Sequence, residues 1–348
     1  MARPAHVCVA LLALLLGCRA GAPSEADVPA WSGSVGDQDT GETGADTGAD
    51  SDSAGDTDTA PIPDTGDSGD SGELDTGPPP EPAWLAVSAG QWYTCGLRVD
   101  QSVACWGAND FGQLDVPTGA YASISAGGTY ACAIDAEGEL ACWGNEAFTE
   151  FPPPAGPWVY VSCGAGNCAS IDRAGAMQTW GYYSFPTAPE GAFIAVEWGN
   201  GPEELCAVRA SGEIVCWRED GSEFSPLVGS FADVGVGALF GCGLDAAGGT
   251  TWWNYDDPPH SEWGVDEPPE VAFEKLRLMT GSACGLTPAG EVVCWGEPHL
   301  YWGSDSTKPP VETYQDVTVG YYHNCGLTTG GQILCWGSDN YGQSTPPT

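Results

Sequence analysis

Most of the chain alternates apolar and polar residues in short runs that end at glycine-containing turns. The clearest run surrounds Gly138: Cys132 and Ile134 precede the turn, and Leu140 and Cys142 follow it at mirror-image positions. A period of two is typical of a β-strand, and two such runs joined by a few turn residues predict a β-hairpin. Gly138 stands where a type I turn with a bulge needs a left-handed residue.

This hairpin recurs seven times, and a tryptophan marks the end of each copy. The tryptophans are 36 to 42 residues apart, at Trp106, Trp143, Trp180, Trp217, Trp253, Trp295 and Trp336. An aliphatic residue precedes the tryptophan by 19 positions in six units, whereas Val196 of the fourth unit lies two residues further back. This offset predicts a two-residue insertion near residues 202–204. Six units keep the turn glycine, and the first has Gln101 instead, so we expect its turn to differ.

Both faces of each hairpin are apolar, because the cysteines and aliphatic residues alternate with the tryptophan on the opposite face. A unit of this size cannot bury two apolar faces alone, but copies that stack around an axis bury both. The pattern therefore predicts an all-β fold, a seven-bladed β-propeller over residues 83–348. A linear solenoid is the alternative, although neither end of the repeat array shows an evident polar capping unit.

The cysteines predict cross-strand disulfides. Five pairs are ten residues apart: Cys95 with Cys105, Cys132 with Cys142, Cys206 with Cys216, Cys284 with Cys294, and Cys325 with Cys335. Directly opposed strand residues are near the separation that a disulfide requires. A zinc site is disfavoured because no unit contains Cys-x-x-Cys, and we expect no metal or cofactor. Cys163 and Cys168 are candidates for a local pair, and Cys242 is left over.

The first 82 residues have a different character. Residues 1–17 contain an apolar run too short to span a bilayer and predict an export signal. The run ends at Cys18 in a sequence that resembles a bacterial lipoprotein box, which predicts lipidation of Cys18; an ordinary cleaved signal is the alternative. Residues 18–82 are rich in Asp, Thr, Gly and Pro, cannot form a core, and predict a disordered linker.

Charge and composition exclude several functions. The formal net charge of −39 disfavours nucleic-acid binding, which needs a basic surface. The 15 cysteines fit an oxidising compartment. Only four histidines occur in the chain, and none is part of a catalytic or metal-binding motif, so we do not expect an enzyme.

The repeat also matches a family pattern. The first unit reads Val87-Ser-Ala-Gly90, then Cys95-x-Leu97, then Cys105-Trp106-Gly107 followed by Asn109, Gly112 and Gln113, and the last unit repeats this from His323 to Gln343. The pattern resembles the regulator of chromosome condensation repeat across residues 83–348, most clearly in units one, two and seven. This resemblance implies seven blades and a velcro-like closure of the ring.

The family's nuclear role does not carry over, because this chain is predicted to be exported and has no basic arm. An exported bacterial relative that inhibits β-lactamase through aromatic loop residues is a closer analogue. Aromatic residues in the loops before the hairpins are therefore our candidate binding residues: Trp92, Tyr93, Tyr130, Phe240, Tyr321, Tyr322 and His323. The alternative is that half of them fill gaps between blades.

Together these features predict a non-catalytic lipoprotein of the bacterial cell envelope, held to the membrane only by its lipid anchor. We expect a monomer that presents the propeller to an extracytoplasmic protein. A glycan-binding propeller is the alternative, because aromatic and acidic loops can also bind sugars.

Overall fold

The computed structural model describes residues 83–146, 151–181, 190–199, 205–217, 221–237, 240–254, 268–279, 282–296 and 307–347. The signal segment 1–17, Cys18 and the linker predicted for residues 18–82 lie outside these described residues. Within the described part, every element longer than a turn is a β-strand. No helix there has the length and apolarity needed to cross a bilayer.

The described residues form 22 strands. In the first four repeats they are β1 Trp84–Ala89, β2 Tyr93–Arg98, β3 Val103–Gly107, β4 Tyr121–Ala126, β5 Tyr130–Asp135, β6 Leu140–Gly144, β7 Trp158–Cys163, β8 Asn167–Asp172, β9 Met177–Gly181, β10 Phe193–Trp198, β11 Leu205–Arg209, β12 Ile214–Trp217 and β13 Glu223–Phe224. In the last three they are β14 Phe231–Val236, β15 Phe240–Asp245, β16 Thr250–Asn254, β17 Lys275–Leu278, β18 Ser282–Leu286, β19 Val292–Gly296, β20 Tyr314–Val319, β21 His323–Thr328 and β22 Ile333–Gly337.

These strands form seven antiparallel sheets, each built from one repeat. Every sheet has an inner, a middle and an outer strand in chain order, and the fourth sheet adds β13 at its outer edge. Each sheet contacts the next, and the seventh contacts the first through β20, β21 and β1. The prediction of a seven-bladed β-propeller is therefore confirmed.

The ring closes differently from the velcro-like arrangement that the family resemblance implies. In a velcro closure one blade combines strands from the two ends of the repeat array. Here the first and the last blade each contain three consecutive strands of their own. The two blades meet through side chains and loops: Ala89 donates its amide hydrogen to Thr318 Oγ1 (3.1 Å), and the Trp106 indole donates to the Gln343 carbonyl (2.9 Å).

The hydrophobic core is divided into seven clusters, one at each junction between neighbouring blades. At six junctions the cysteine-bearing face of one blade packs against the inner strand and the tryptophan face of the next, whereas blade three presents Ala169 and Ile171 to blade four and has Cys168 on its opposite face. Tyr93, Cys95 and Leu97, for example, contact Tyr121 and Trp143. The first position of every inner segment is aromatic, a pattern that the tryptophan spacing does not indicate: Trp84, Tyr121, Trp158, Phe193, Phe231, Phe273 and Tyr314.

The hairpin register is as the sequence predicts. Cys132 pairs with Cys142 and Ile134 with Leu140, and Gly138 has a φ of 90°. The first unit, for which we expect a different turn, keeps the same left-handed conformation, because Gln101 has a φ of 70°. Asp100 Oδ1 stabilises this turn by accepting hydrogen bonds from the Ser102 amide (2.9 Å) and hydroxyl (2.6 Å).

The described residues contain six disulfides. The five pairs that are ten residues apart are all bonded across their hairpins. A sixth bond joins Cys163 to Cys168, which links the inner and middle strands of the third blade. Cys242 is a buried free thiol because Trp252 faces it in the hairpin. Burial raises the pKa of this thiol to about 12, so it stays protonated.

Candidate functional site

One end of the ring carries the loops that the sequence nominates for binding. Tyr93 pairs with Gly107 and His323 pairs with Gly337, so each middle strand begins beside the end of its outer strand. The inner-to-middle loops and the tails that follow the outer strands therefore lie at the same end, which we call the loop end.

Four of the nominated residues are buried between blades. Tyr93, Tyr130, Phe240 and His323 have at most 3% of their surface exposed. This corrects the expectation that they contact a partner. The reason is the strand period: each lies two residues before a cysteine position, so its side chain points to the same buried face. This alternation is the signal that could have identified them as core residues.

These buried groups join neighbouring blades. The Tyr93 hydroxyl donates to the Tyr130 carbonyl, and the Tyr130 hydroxyl donates to the Asn167 carbonyl at 2.7 Å. Burial raises the pKa of both phenols far above the usual range, so each stays protonated and remains a donor.

His323 occupies the corresponding position at the junction between blades seven and one. Its Nε2 lies 2.6 Å from Thr94 Oγ1, and the Thr94 hydroxyl lies 2.9 Å from the Gln343 carbonyl. Nδ1 has no hydrogen-bond partner within the described part of the chain. Burial lowers the pKa of His323 to about 4, although Asp339 acts in the opposite direction. His323 is therefore neutral at pH 7 and contributes to ring closure.

The other three nominated residues form a half-buried aromatic group at the loop end. Trp92 stacks on Tyr322 with ring centroids 5.9 Å apart and an interplanar angle of 7°. Tyr321 contacts Tyr322 at 6.2 Å, and Tyr341 lies 5.8 Å from Trp92 with 49% of its surface exposed. We call these four residues the seam patch, because blades seven and one both contribute to it.

Tyr341 is a member that the sequence analysis missed. It lies in the Asn-x-Gly-Gln tail after the last outer strand, a motif interpreted only as a family marker. The buried Gln343 side chain accepts a hydrogen bond from the Tyr341 amide (2.8 Å) and so holds the tail in place. The equivalent residue of the first blade is Phe111, which is 46% exposed and is held in the same way by Gln113.

A second candidate site is the central channel, which the sequence analysis did not identify. It encloses about 250 Å³ and is lined by inner strands of the first four blades and the last two. The hydroxyls of Thr318, Ser88, Ser125 and Ser162 accept hydrogen bonds of 2.9 to 3.3 Å from backbone amides of the next blade. These side chains, at the fifth position of their strands, hold four consecutive blade junctions together.

Charged residues replace the hydroxyls on the opposite side of the channel. Glu197 is the fifth residue of β10, and Arg277 occupies the equivalent position of blade six, counted from the aromatic residue Phe273. Arg277 forms an ion pair with Asp233 of blade five (3.2 Å), and Lys275 forms one with Asp316 of blade seven. Blade six is therefore linked to blades five and seven by one ion pair each.

Glu197 is in neither of these two ion pairs, although Arg277, Asp233 and Lys275 all influence its ionisation. Burial raises the pKa of the Glu197 carboxyl to about 7, while Arg277, Lys275 and a hydrogen bond with Ser162 oppose the shift. Its charge therefore changes near neutral pH. Across the channel wall, Tyr160 of blade three also interacts with Glu197, and burial raises the pKa of its phenol.

The described residues contain one group of sulfur atoms that could suit a metal. Sγ atoms of Cys132, Cys163 and Cys168 lie within 4.8 Å of one another. All three sulfurs are in disulfides, with Cys142 as the partner of Cys132. A soft metal ion needs thiolates, so this group does not form a metal site in the oxidised protein.

Comparisons with known proteins agree with the fold. The sequence profile of the regulator of chromosome condensation (RCC1) repeat matches residues 84–113 and 314–343, the first and last repeats. The CRINKLY WD40 ectodomain of the Arabidopsis thaliana receptor kinase ACR4 is 21% identical with a TM-score of 0.60, covering 74% of this chain and 96% of that one.

Two further solved structures are similar. The entire ectodomain of the receptor kinase CR4 from Physcomitrella patens is 20% identical with a TM-score of 0.59, and 74% of each chain is covered. Human WBSCR16 is 15% identical with a TM-score of 0.58, covering 72% of this chain and 88% of that one. At these identities the similarity concerns the fold.

Proposed function

We propose that this seven-bladed propeller, whose first and last repeats match the regulator of chromosome condensation repeat, is a non-catalytic protein-interaction module of the bacterial cell envelope. Propellers of this repeat type are typically interaction modules. The proposed contact surface is the seam patch, and the single observation that carries the proposal is its cluster of half-buried aromatic rings.

The seam patch has the physical properties of a protein-binding surface. Aromatic side chains dominate the binding energy of interfaces because they bury a large area and lose little conformational entropy. Here the rings are held by mutual stacking and by the buried Gln343, so little ordering remains to be done when a partner binds. Tyr341 alone keeps about half of its surface available for contact.

The charge of the propeller indicates the kind of partner. Residues 83–348 contain 32 acidic and 7 basic side chains. Asp110 and Asp339 are exposed in the tails at the loop end. A basic protein surface would approach this end faster than an acidic one, and its arginine side chains could stack on the aromatic rings.

The proposed localisation outside the cytoplasm is supported by separate observations. Six disulfides are typical of a protein that matures outside the reducing cytosol. Two of the similar propellers are receptor ectodomains. The lipid anchor at Cys18 and the linker up to residue 82 are proposed from the sequence, and would place the propeller at a distance from the membrane.

The contact surface is tested with two matched variants. Partners captured from the envelope of the producing cells are identified, purified and titrated against the wild type, Tyr341→Ala and Phe111→Ala. We expect Tyr341→Ala to weaken binding at least about tenfold, since an interface hot spot contributes roughly 2 kcal/mol or more. Phe111→Ala removes an equally exposed aromatic residue outside the patch and should bind as the wild type does.

Equal binding by all three proteins would refute the seam patch as the contact surface. Repeat-dependent binding to a glycan array, without any protein partner, would favour the glycan-binding alternative.

The anchor is tested independently. Cells are labelled with radioactive palmitate and the chain is recovered from the wild type and from Cys18→Ala. The label should disappear in the variant, and label that persists would refute lipidation at Cys18.

A further inference from the structure

Two disulfides meet at the junction between blades two and three. Cys132, which is bonded to Cys142 within blade two, has its Sγ atom 3.7 Å from Sγ of Cys168, which is bonded to Cys163 within blade three. All four cysteines belong to one core cluster. A separation of 3.7 Å is an ordinary van der Waals contact, so the two disulfides touch across the junction.

This contact arises because one cysteine is shifted along its strand. In blade two, Cys132 faces Cys142, the residue before the tryptophan. In blade three, Cys168 faces Trp180, the tryptophan itself. Because successive strand residues point to opposite faces, Cys168 points back toward blade two. Its disulfide partner is Cys163, which faces it on the inner strand.

The two disulfides also differ in exposure within each bond. Cys132 and Cys168 are at most 1% exposed, whereas Cys142 and Cys163 are half-buried. Cys163 also lines the central channel. A thiolate opens a disulfide by attacking one sulfur and releasing the other. A thiolate from solvent therefore reaches Cys142 or Cys163 first, and the sulfur that it releases is the buried one beside the other disulfide.

We propose that Cys142 and Cys163 are sites of modification by a small monothiol, and that this modification produces a new disulfide between Cys132 and Cys168. The external thiolate attacks Cys142 Sγ, forms a mixed disulfide there and releases the Cys132 thiolate. The Cys132 thiolate then attacks Cys168 Sγ, forms the Cys132–Cys168 bond and releases the Cys163 thiolate, which takes a proton from water.

Entry at Cys163 leads to the same bond. Attack there releases the Cys168 thiolate, which attacks Cys132 Sγ and releases Cys142. Either route begins and ends with two disulfides and one thiol, so no oxidant or reductant is consumed. The second step is intramolecular, and a nucleophile held at contact distance reacts much faster than one from dilute solution. The product bonds blades two and three covalently.

Peptide mapping of the full-length oxidised chain tests the proposal. The chain is incubated with free cysteine as the external thiol at about pH 8.5, the usual pKa of a thiol. The remaining thiols are blocked with N-ethylmaleimide, and the chain is digested without reduction. We expect a linked Cys132–Cys168 peptide. Of Cys142 and Cys163, one should carry the added cysteine and the other the blocking group.

The disulfide of blade one is an internal control. Cys95 is buried and Cys105 is half-buried, as are Cys132 and Cys142. Among the described residues, the core cluster of Cys95 contains no third cysteine. Attack on Cys105 should therefore stop at the mixed disulfide. We expect the Cys132–Cys168 link to be at least about tenfold more abundant than any link from Cys95 to another blade.

Two double variants test the geometry without an external thiol. Cys142→Ala with Cys163→Ala leaves Cys132 and Cys168 as the cysteines of the junction, and they should bond to each other when the chain folds in an oxidising environment. Cys105→Ala with Cys163→Ala leaves two single cysteines in different core clusters. Alkylation in denaturant should therefore count two more free thiols in the second variant than in the first.

Three results would overturn the proposal. The first is that cysteine adds to Cys142 or Cys163 without a Cys132–Cys168 link. The second is that cysteine adds to neither of them. The third is that the Cys142→Ala, Cys163→Ala variant keeps both junction thiols free. Binding by the seam patch is measured separately, so this proposal and the proposed function can fail independently.

Discussion

The close contact between blades two and three at the loop end can be tested with the substitution Gly127→Ala, which adds a single methyl group. Gly127 follows the inner strand of blade two, and a Cβ atom there would lie 2.5 Å from the Gly164 carbonyl oxygen of blade three. Ordinary carbon–oxygen contacts are about 3.3 Å or longer. Gly127→Ala must therefore push the two blades apart by several tenths of an ångström.

The expected cost follows from this geometry. The Gly164 carbonyl also accepts a hydrogen bond from the Gly128 amide (2.9 Å), which the displacement would weaken. Overpacking costs about 1 to 3 kcal/mol of folding free energy, and a weakened hydrogen bond costs about 1 kcal/mol. Replacing glycine with alanine offsets about 0.4 to 1 kcal/mol of this, because alanine lowers the conformational entropy of the unfolded chain. We expect a net loss of about 2 kcal/mol, which corresponds to a decrease in Tm of roughly 4 to 8 °C.

Gly330→Ala is the matched control. Gly330 is exposed, and the nearest atom to its added Cβ would be Thr328 Oγ1 at 3.7 Å, an ordinary contact. This variant should gain about 0.4 to 1 kcal/mol. Thermal unfolding followed by tryptophan fluorescence, with all disulfides intact, compares the two. Equal midpoints for Gly127→Ala and Gly330→Ala would show that the blades do not approach as closely as the structure indicates.

Three further predictions concern the junctions and the hairpins. Replacing Cys132 and Cys142 together with alanine removes an eleven-residue loop closure and should lower the free energy of unfolding by about 3 kcal/mol, measured by denaturant titration. His323 has a pKa of about 4 in the folded state against about 6.5 unfolded, so its contribution is present above pH 6.5 and is lost as the pH falls toward 4. Between pH 7 and pH 4 the thermal midpoint of His323→Gln should therefore fall less than that of the wild type. The difference corresponds to up to about 3 kcal/mol in the free energy of unfolding. Arg277→Met leaves Asp233 without its ion pair and should destabilise the protein by about 1 to 3 kcal/mol, while adding Asp233→Asn should recover part of the loss in a double-mutant cycle.

The architecture can be predicted from the sequence because each repeat encodes its own blade. The number of regularly spaced tryptophans gives the number of blades, and the mirror symmetry around Gly138 gives the register of the hairpin. Both depend on residues close together in the chain. The disulfides follow for the same reason, since a cysteine pair ten residues apart is already opposed in the hairpin.

The sites are harder to predict because they depend on how distant blades meet. Glu197, Lys275 and Asp316 are charged residues in inner strands that otherwise resemble those of the other blades. Only ring closure brings them to one channel. Tyr341 and Trp92 are about 250 residues apart in sequence, and their contact requires blade seven to lie beside blade one.

The nominated aromatic residues show how the strand period separates two roles within one loop. Tyr93 lies two residues before Cys95 and therefore shares its buried face, whereas Trp92 precedes the strand and stays at the surface. The same division separates His323 from Tyr322 in the last blade. A prediction that applies the alternation to each aromatic residue, instead of treating the loop as a unit, would have retained Trp92, Tyr321 and Tyr322 only.

The blade junctions use two kinds of contact, and the difference bears on how the ring is specified. From blade seven through blades one, two and three to blade four, hydroxyls at one repeated position accept equivalent amide hydrogen bonds. Such contacts would fit between any pair of these blades, so they stabilise neighbours without selecting them. Lys275 and Arg277 of blade six instead pair with a carboxylate on each side, Asp316 of blade seven and Asp233 of blade five. Because a misplaced blade six would leave its charges unpaired, we infer that these ion pairs set the order of the blades where the repeat sequence is least regular.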